Sequence, residues 1–192
     1  FRQNLLLSKD LSIFYGDRCV ANGISLTLNR GDRIALVGRN GCGKSSLLKL
    51  LVGQPIAHTG TLEIGSRLTV SYVPQDMSFL SGSADDFAAE SEIDLTLFKT
   101  ILRKLDFKRT QFTKDMSEFS MGQKKKVLLA RSLCQRANLY IWDEPLNYID
   151  VISRLQIETL ILEYKPTMLF VEHDEAFVND IATKVCRISL NQ

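Results

Sequence analysis

The chain has 192 residues, 45% of them hydrophobic and 24% charged. That is the length of one domain, or of one domain with a small insertion, in ordinary globular proportions that exclude a disordered chain. The 24 Lys and Arg against 22 Asp and Glu leave a formal charge of +2, which does not fit a whole-surface nucleic-acid binder. No run approaches the roughly 18 apolar residues of a membrane helix.

The elements follow in chain order. Residues 5–13 read as a strand. Ile24, Leu26 and Leu28 alternate with Ser25 and Thr27, the period of a half-buried strand. Arg30-Gly31-Asp32 is a turn, and Arg33 to Val37 an apolar strand running into a glycine-rich loop. Ser45 to Val52 has helical spacing and stops at Gly53 and Pro55. Leu62 to Gly65 and Leu68 to Val73 look like two strands around a Gly-Ser turn, and His58 reads as a loop residue. Asp76 to Asp94 holds six acidic residues and no basic one, whereas Lys99 to Arg109 holds five basic residues and Asp106. Leu97, Ile101 and Leu105 predict an amphipathic helix there, so residues 76–119 read as a small helical insertion. The basic run reads as that helix's solvated face rather than an RNA contact. A long helix is expected from Ser120. The last third alternates strand 139–142, helix 151–164, strand 167–171, helix 174–182 and strand 184–189, which implies βαβ units and a mostly parallel sheet.

Cys19, Cys42, Cys134 and Cys186 are scattered, without a CxxC pair. That argues against a zinc site or disulfide scaffold and for a reducing, cytoplasmic setting. Phe1 in place of Met, with no signal-like segment after it, reads as a piece of a longer chain.

Gly38-Arg39-Asn40-Gly41-Cys42-Gly43-Lys44-Ser45 fits G-x-x-x-x-G-K-[ST], with Ser46 next. Glycines allow the tight turn that brings backbone N–H groups onto phosphate oxygens, and the following helix adds its positive dipole end. Lys44 supplies a charge for the β- and γ-phosphates, and the Ser45 hydroxyl a Mg²⁺ ligand. A chance match in a chain this long is roughly one in a hundred, and the strand before and helix after strengthen it. Cys42, beside Lys44, predicts a thiol that reagents reach and MgATP shields.

The apolar strand Leu139-Tyr140-Ile141-Trp142 ends in Asp143-Glu144-Pro145. A carboxylate at a buried strand end beside a phosphate loop suits Mg²⁺, the role expected of Asp143. The next carboxylate, Glu144, can polarise a water for attack on the γ-phosphate. Alone, Asp-Glu-Pro would be a common turn.

The order of these motifs resembles an ABC-type ATPase nucleotide-binding domain over nearly the whole chain. Phe119-Ser120-Met121-Gly122-Gln123 looks like the LSGGQ signature, and Tyr72-Val73-Pro74-Gln75 like the Q-loop. Tyr15 looks like the adenine-stacking aromatic, Asn147 to Asp150 like the D-loop, and His173 like the switch histidine. The resemblance implies an α/β P-loop NTPase fold of ABC type. Its parts are a mostly parallel core sheet flanked by helices, an antiparallel β subdomain and a short helical insertion. It implies ATP and Mg²⁺ as cofactors, with Gln75 near the metal and the attacking water. It implies one domain spanning the chain, whose signature (Ser120, Met121, Gly122, Gln123) and Asp150 complete the phosphate site of a second ABC domain, in the same parent chain or a second copy. Lys124, Lys125 and Lys126, early in the signature helix, read as solvated lysines.

Asp143-Glu144-Pro145-Leu146-Asn147-Tyr148-Ile149-Asp150 resembles the DEPTNHLD of ABC-F proteins more than the DEPTSALD of transporters, chiefly through Asn147. That implies tandem domains acting on the ribosome. Leu146 to Asp150 and Val171-Glu172-His173-Asp174 look like the antibiotic-resistance branch. The alternatives are the ATPase subunit of a membrane transporter and a non-hydrolysing clamp. Met121 in place of a signature glycine is expected to restrict the approach of a partner's phosphate.

Overall fold

In the computed structural model, which describes residues 4–189, a long hairpin comes first. Strands β1 (Asn4–Tyr15) and β2 (Arg18–Asn29) pair antiparallel, with Gly16 and Asp17 as the turn. Ile24, Leu26 and Leu28 are buried, and Ser25 and Thr27 between them are exposed, as the alternation requires. Strand β4 (Ala57–Ile64) pairs antiparallel with the other edge of β1, so the sheet order is β2-β1-β4.

The second sheet has the order β5-β6-β7-β3-β8. Strands β3 (Arg33–Val37), β6 (Leu139–Asp143), β7 (Met168–Val171) and β8 (Lys184–Arg187) run parallel. The central strands are apolar runs with no alternation because both faces are buried: Ile34, Ala35, Leu36 and all of Met168 to Val171 are covered. Helix α1 (Lys44–Leu51) follows β3 and packs on β2 and β6. Helices α5 (Val151–Tyr164) and α6 (Glu175–Ile181) precede β7 and β8. Strand β5 (Val70–Val73) belongs to this sheet and β4 to the other, which corrects the expected pair of strands around one turn. Leu7 pairs with Glu63 and Leu6 with Ile64, so β1 holds the ladder that a hairpin partner would have needed. His58 lies in β4 opposite Ile13 rather than in a loop.

The chain forms two compact units. One comprises the chain up to Tyr72, Ala137–Asp143 and the chain from Lys165 onward; the other comprises Val73–Arg136 and Glu144–Tyr164. The first has a continuous apolar core in which Leu11, Ile13, Leu28, Leu36, Leu48 and Ile141 are fully buried.

The second unit carries α2 (Ala84–Glu90), α3 (Leu95–Lys104) and α4 (Met121–Cys134) as well as α5. Ser83 and Asp94 cap α2 and α3 with side-chain oxygens. The buried stripe of α3 is Phe98, Ile101 and Leu102, continued by Leu105, whereas Leu97 is 45% exposed. The expected stripe is thus displaced: α3 packs on both α2 and α4, and Phe98 lies against Phe87 of α2. In the basic run, Lys99 pairs with Asp85 at 2.9 Å and lies over the Phe112 ring, while Arg103, Lys104, Lys108 and Arg109 are exposed. Among the described residues no helix is long and apolar enough to cross a membrane.

Candidate functional site

Leu36 in β3 and Asp143 in β6 both pair with Val171 in β7, so the three form one row across the parallel sheet. At about 4.8 Å per strand, Asp143 stands roughly 10 Å from the strand that feeds the glycine-rich loop. The loop from Gly38, the carboxylate of Asp143 and the segment Glu172-His173 therefore leave the sheet at its carboxyl end, where open α/β sheets bind ligands.

Close approach shapes the glycine-rich loop. A Cβ on Gly38 would lie 2.4 Å from Ile188 O and 2.8 Å from Cys42 Sγ. Gly43 has φ +87°, and its Cβ would lie 2.4 Å from Val20 O, so β2 rests directly on the loop. Arg39, Asn40 and Gly41 form an exposed rim. Gly43 precedes α1 and no side chain caps that helix, so its first N–H groups suit a ligand's oxygens. Ser45 and Ser46 are half-buried in its first turn. Lys44 is buried, and its Nζ donates to Gly38 O at 2.7 Å and Arg39 O at 2.9 Å. Cys42 is only 3% exposed, with Sγ 3.6 Å from Lys44 Nζ. The expected reagent-accessible thiol is corrected: Cys42 points into the loop, not out of it.

Asp143 is 1% exposed at the end of β6. Tyr72, which sequence reasoning placed only in the Q-loop run, lies close enough to feel it. Burial, and then the Asp143 charge, push the Tyr72 phenol up to about 12. Trp142 is buried and, one residue from Asp143 on a strand, points to the opposite face. His173 is exposed just past β7, and its backbone N–H donates to Glu172 Oε1 at 3.1 Å. Asp174 then caps α6 through the Phe177 N–H. Tyr15 stands 47% exposed at the tip of the β1–β2 hairpin, whose second strand touches Gly43.

The second unit holds the remaining candidates. Gln75 is exposed just past β5. Ser120 caps α4: its hydroxyl accepts from the Gln123 N–H at 3.2 Å, and Gln123 Oε1 accepts from the Ser120 N–H at 2.9 Å. This is a capping box, and Ser-x-x-Gln is its signal in the sequence, overlapping the run that resembles LSGGQ. Met121, the first residue of α4, is 45% exposed. Gly122 faces inward, where a Cβ would lie 2.6 Å from Tyr148 O. Lys125 is 1% exposed and Lys126 pairs with Asp150 at 2.8 Å, so neither is the solvated lysine expected. Asp150 also accepts from the N–H and hydroxyl of Ser153 at 2.8 Å each. Burial raises its pKa, but Lys126 and Ser153 outweigh that and hold the carboxyl well below the usual range. Glu144 is half-buried with φ +50°, and Asn147 Nδ2 donates to its Oε2 at 2.6 Å.

The sequence matches the family described as ABC transporter over residues 21–147. It is 35% identical to the putative ATP-binding protein YdiF of Bacillus subtilis over 96% of this chain and 30% of that one. It is 28% identical to ABC transporter F family member 2 of Arabidopsis thaliana over 97% of this chain and 28% of that one. The chain thus spans about 30% of the length of the curated relatives it matches. Among solved structures it resembles an archaeal ribosome recycling factor, aABCE1, in complex with the ribosomal stalk protein aP1. That likeness has a TM-score of 0.81 and 25% identity over 99% of this chain and 38% of that one.

Proposed function

The chain belongs to the ABC transporter family of ATPase domains, P-loop ATP hydrolases with ABC-F proteins among the relatives, and from that premise we propose how its residues divide the work. The loop Gly38–Ser46 cradles the phosphates with backbone N–H groups, and Lys44 leaves its own carbonyls for the β- and γ-phosphates. Tyr15 stacks on adenine. Mg²⁺, when bound, neutralises charge on the phosphate oxygens. The donors present suit it: the half-buried Ser45 hydroxyl and the buried Asp143 carboxylate are hard oxygens. The described residues hold no group of three or more His, Cys, Asp or Glu placed to hold a metal ion by themselves. An ion that keeps water and phosphate ligands needs none. The resemblance of Tyr72-Val73-Pro74-Gln75 to the Q-loop assigns Gln75 a role at the metal as well. Glu144 orients and deprotonates the attacking water, and His173 steadies the γ-phosphate.

The signature and D-loop residues Ser120, Met121, Gly122, Gln123 and Asp150 serve the phosphate site of a second ABC domain, in the same parent chain or in another copy. The machine they drive works on the ribosome, in the cytoplasm, as a translation factor or in antibiotic resistance. The likeness to ABC-F relatives over nearly the whole chain carries this reading, supported by Asn147 in the D-loop. The test is co-sedimentation of the parent protein carrying Glu144→Gln with ribosomes. ATP-dependent association is the expected result. Association with a membrane protein instead, and none with ribosomes, would move the chain to the ATPase subunit of a transporter.

A further inference from the structure

We propose that Asn147 is a positioning residue whose side-chain amide holds the Glu144 carboxylate in its working orientation. The inference rests on the reading of Glu144 as the general base. Three constraints converge on Glu144. Asn147 Nδ2 donates to Oε2 at 2.6 Å. The Asn147 backbone N–H donates to Glu144 O at 3.3 Å, closing a tight turn. The φ of +50° at Glu144 is a left-handed backbone that a side-chain-bearing residue adopts only when its surroundings impose it. Pro145 follows and narrows the turn further.

A glutamate at a half-buried loop position has three rotatable side-chain bonds, and freezing them at the moment of reaction would slow the step. Asn147 freezes them beforehand, which is preorganisation of a catalytic group by its neighbour. The amide can only donate through Nδ2, so it engages Oε2 as an acceptor and fixes the plane of the carboxylate. The support is stiff. Tyr148 O, one residue on, lies against Gly122 of α4, and Asp150 is tied to Lys126 on the same helix. Gln at this position would still donate. Asp, the same shape, would place a second carboxylate oxygen against Oε2.

The experiment compares Asn147→Asp, Asn147→Gln, Asn147→Ala and Glu144→Gln in the full chain, with kcat, KM and calorimetric ATP binding measured for each. The expected result is that Asp and Ala lower kcat by about ten- to a hundredfold, with KM and ATP affinity within about twofold of the parent. Gln, although larger, retains more activity than the isosteric Asp. Without nucleotide, the ¹⁵N spectrum should show one Asn147 amide proton shifted downfield and returned towards the solvent value by Glu144→Ala. A wild-type rate in Asn147→Asp, with Glu144→Gln inactive, overturns the positioning role alone. A wild-type rate in Glu144→Gln overturns the base assignment beneath it. Equal losses in Asp and Gln together with lowered thermal stability, or an Asn147 amide signal indifferent to Glu144, also overturn the proposal.

Discussion

The ammonium of Lys44 already has two acceptors, both carbonyls of the loop that bears it. Its stem is buried, so the residue supports the loop's shape as well as offering charge. Replacing it with Ala should weaken MgATP binding by at least tenfold in calorimetry, whereas Glu144→Gln should leave binding intact and slow turnover. Met121 and Gly122, at the start of α4, are distinguished by their surroundings. Gly122→Ala drives a methyl group to 2.6 Å from the Tyr148 backbone carbonyl, a clash that only a shift of backbone relieves. It should cost about 1–3 kcal/mol of stability. Met121→Gly removes an exposed side chain at the start of a helix and should cost about 1 kcal/mol or less. Chemical denaturation of the two variants checks the ordering. The resemblance to LSGGQ draws attention to Met121; the structure shows why the neighbouring glycine is the one that packing demands.

At the scale of elements, α4 and α5 are joined by side chains as well as by packing. Lys126 on α4 reaches Asp150, which also accepts from the Ser153 N–H and hydroxyl in the first turn of α5. The native Asp150 carboxyl is depressed below its unfolded value, so its contribution is present above the unfolded pKa and lost as pH falls through the native one. Asp150→Asn should therefore lower Tm at neutral pH, and its gap from the parent should stay constant down to about pH 5 and narrow progressively below about pH 4. A gap unchanged at low pH would mean that packing, not the charge, makes the link. The βα alternation of the last third was legible from apolar runs and caps alone. The stripe on α3 was not, because Leu97 and Phe98 are both apolar and only the neighbouring helices α2 and α4 decide which of them is covered.

For the molecule as a whole, the proposed pairing of domains predicts a change of assembly. In sedimentation, Glu144→Gln with MgATP should shift the chain from monomer towards dimer, and omission of nucleotide should reverse it. Persistent monomer with ATP demonstrably bound would confine the pairing to the parent chain's own second domain. The formal charge of +2 conceals a local arrangement. The acidic stretch and the basic run that follows it meet at Asp85 and Lys99, which stitches α2 to α3 and leaves four cations exposed.

The sequence by itself determined the local structure: the glycine-rich loop between a strand and a helix, the strand that ends at Asp143, the helix that opens at Ser120 and the order that relates them. These are legible because periodicity, caps and glycine spacing act over a few residues. Only the tertiary structure decided that β4 and β5 part into different sheets, that Cys42 turns inward, that Lys125 and Lys126 leave solvent, and that Asn147 grips Glu144. Each depends on which surface a strand, thiol, ammonium or amide meets, and those surfaces are set by packing between segments that periodicity does not connect.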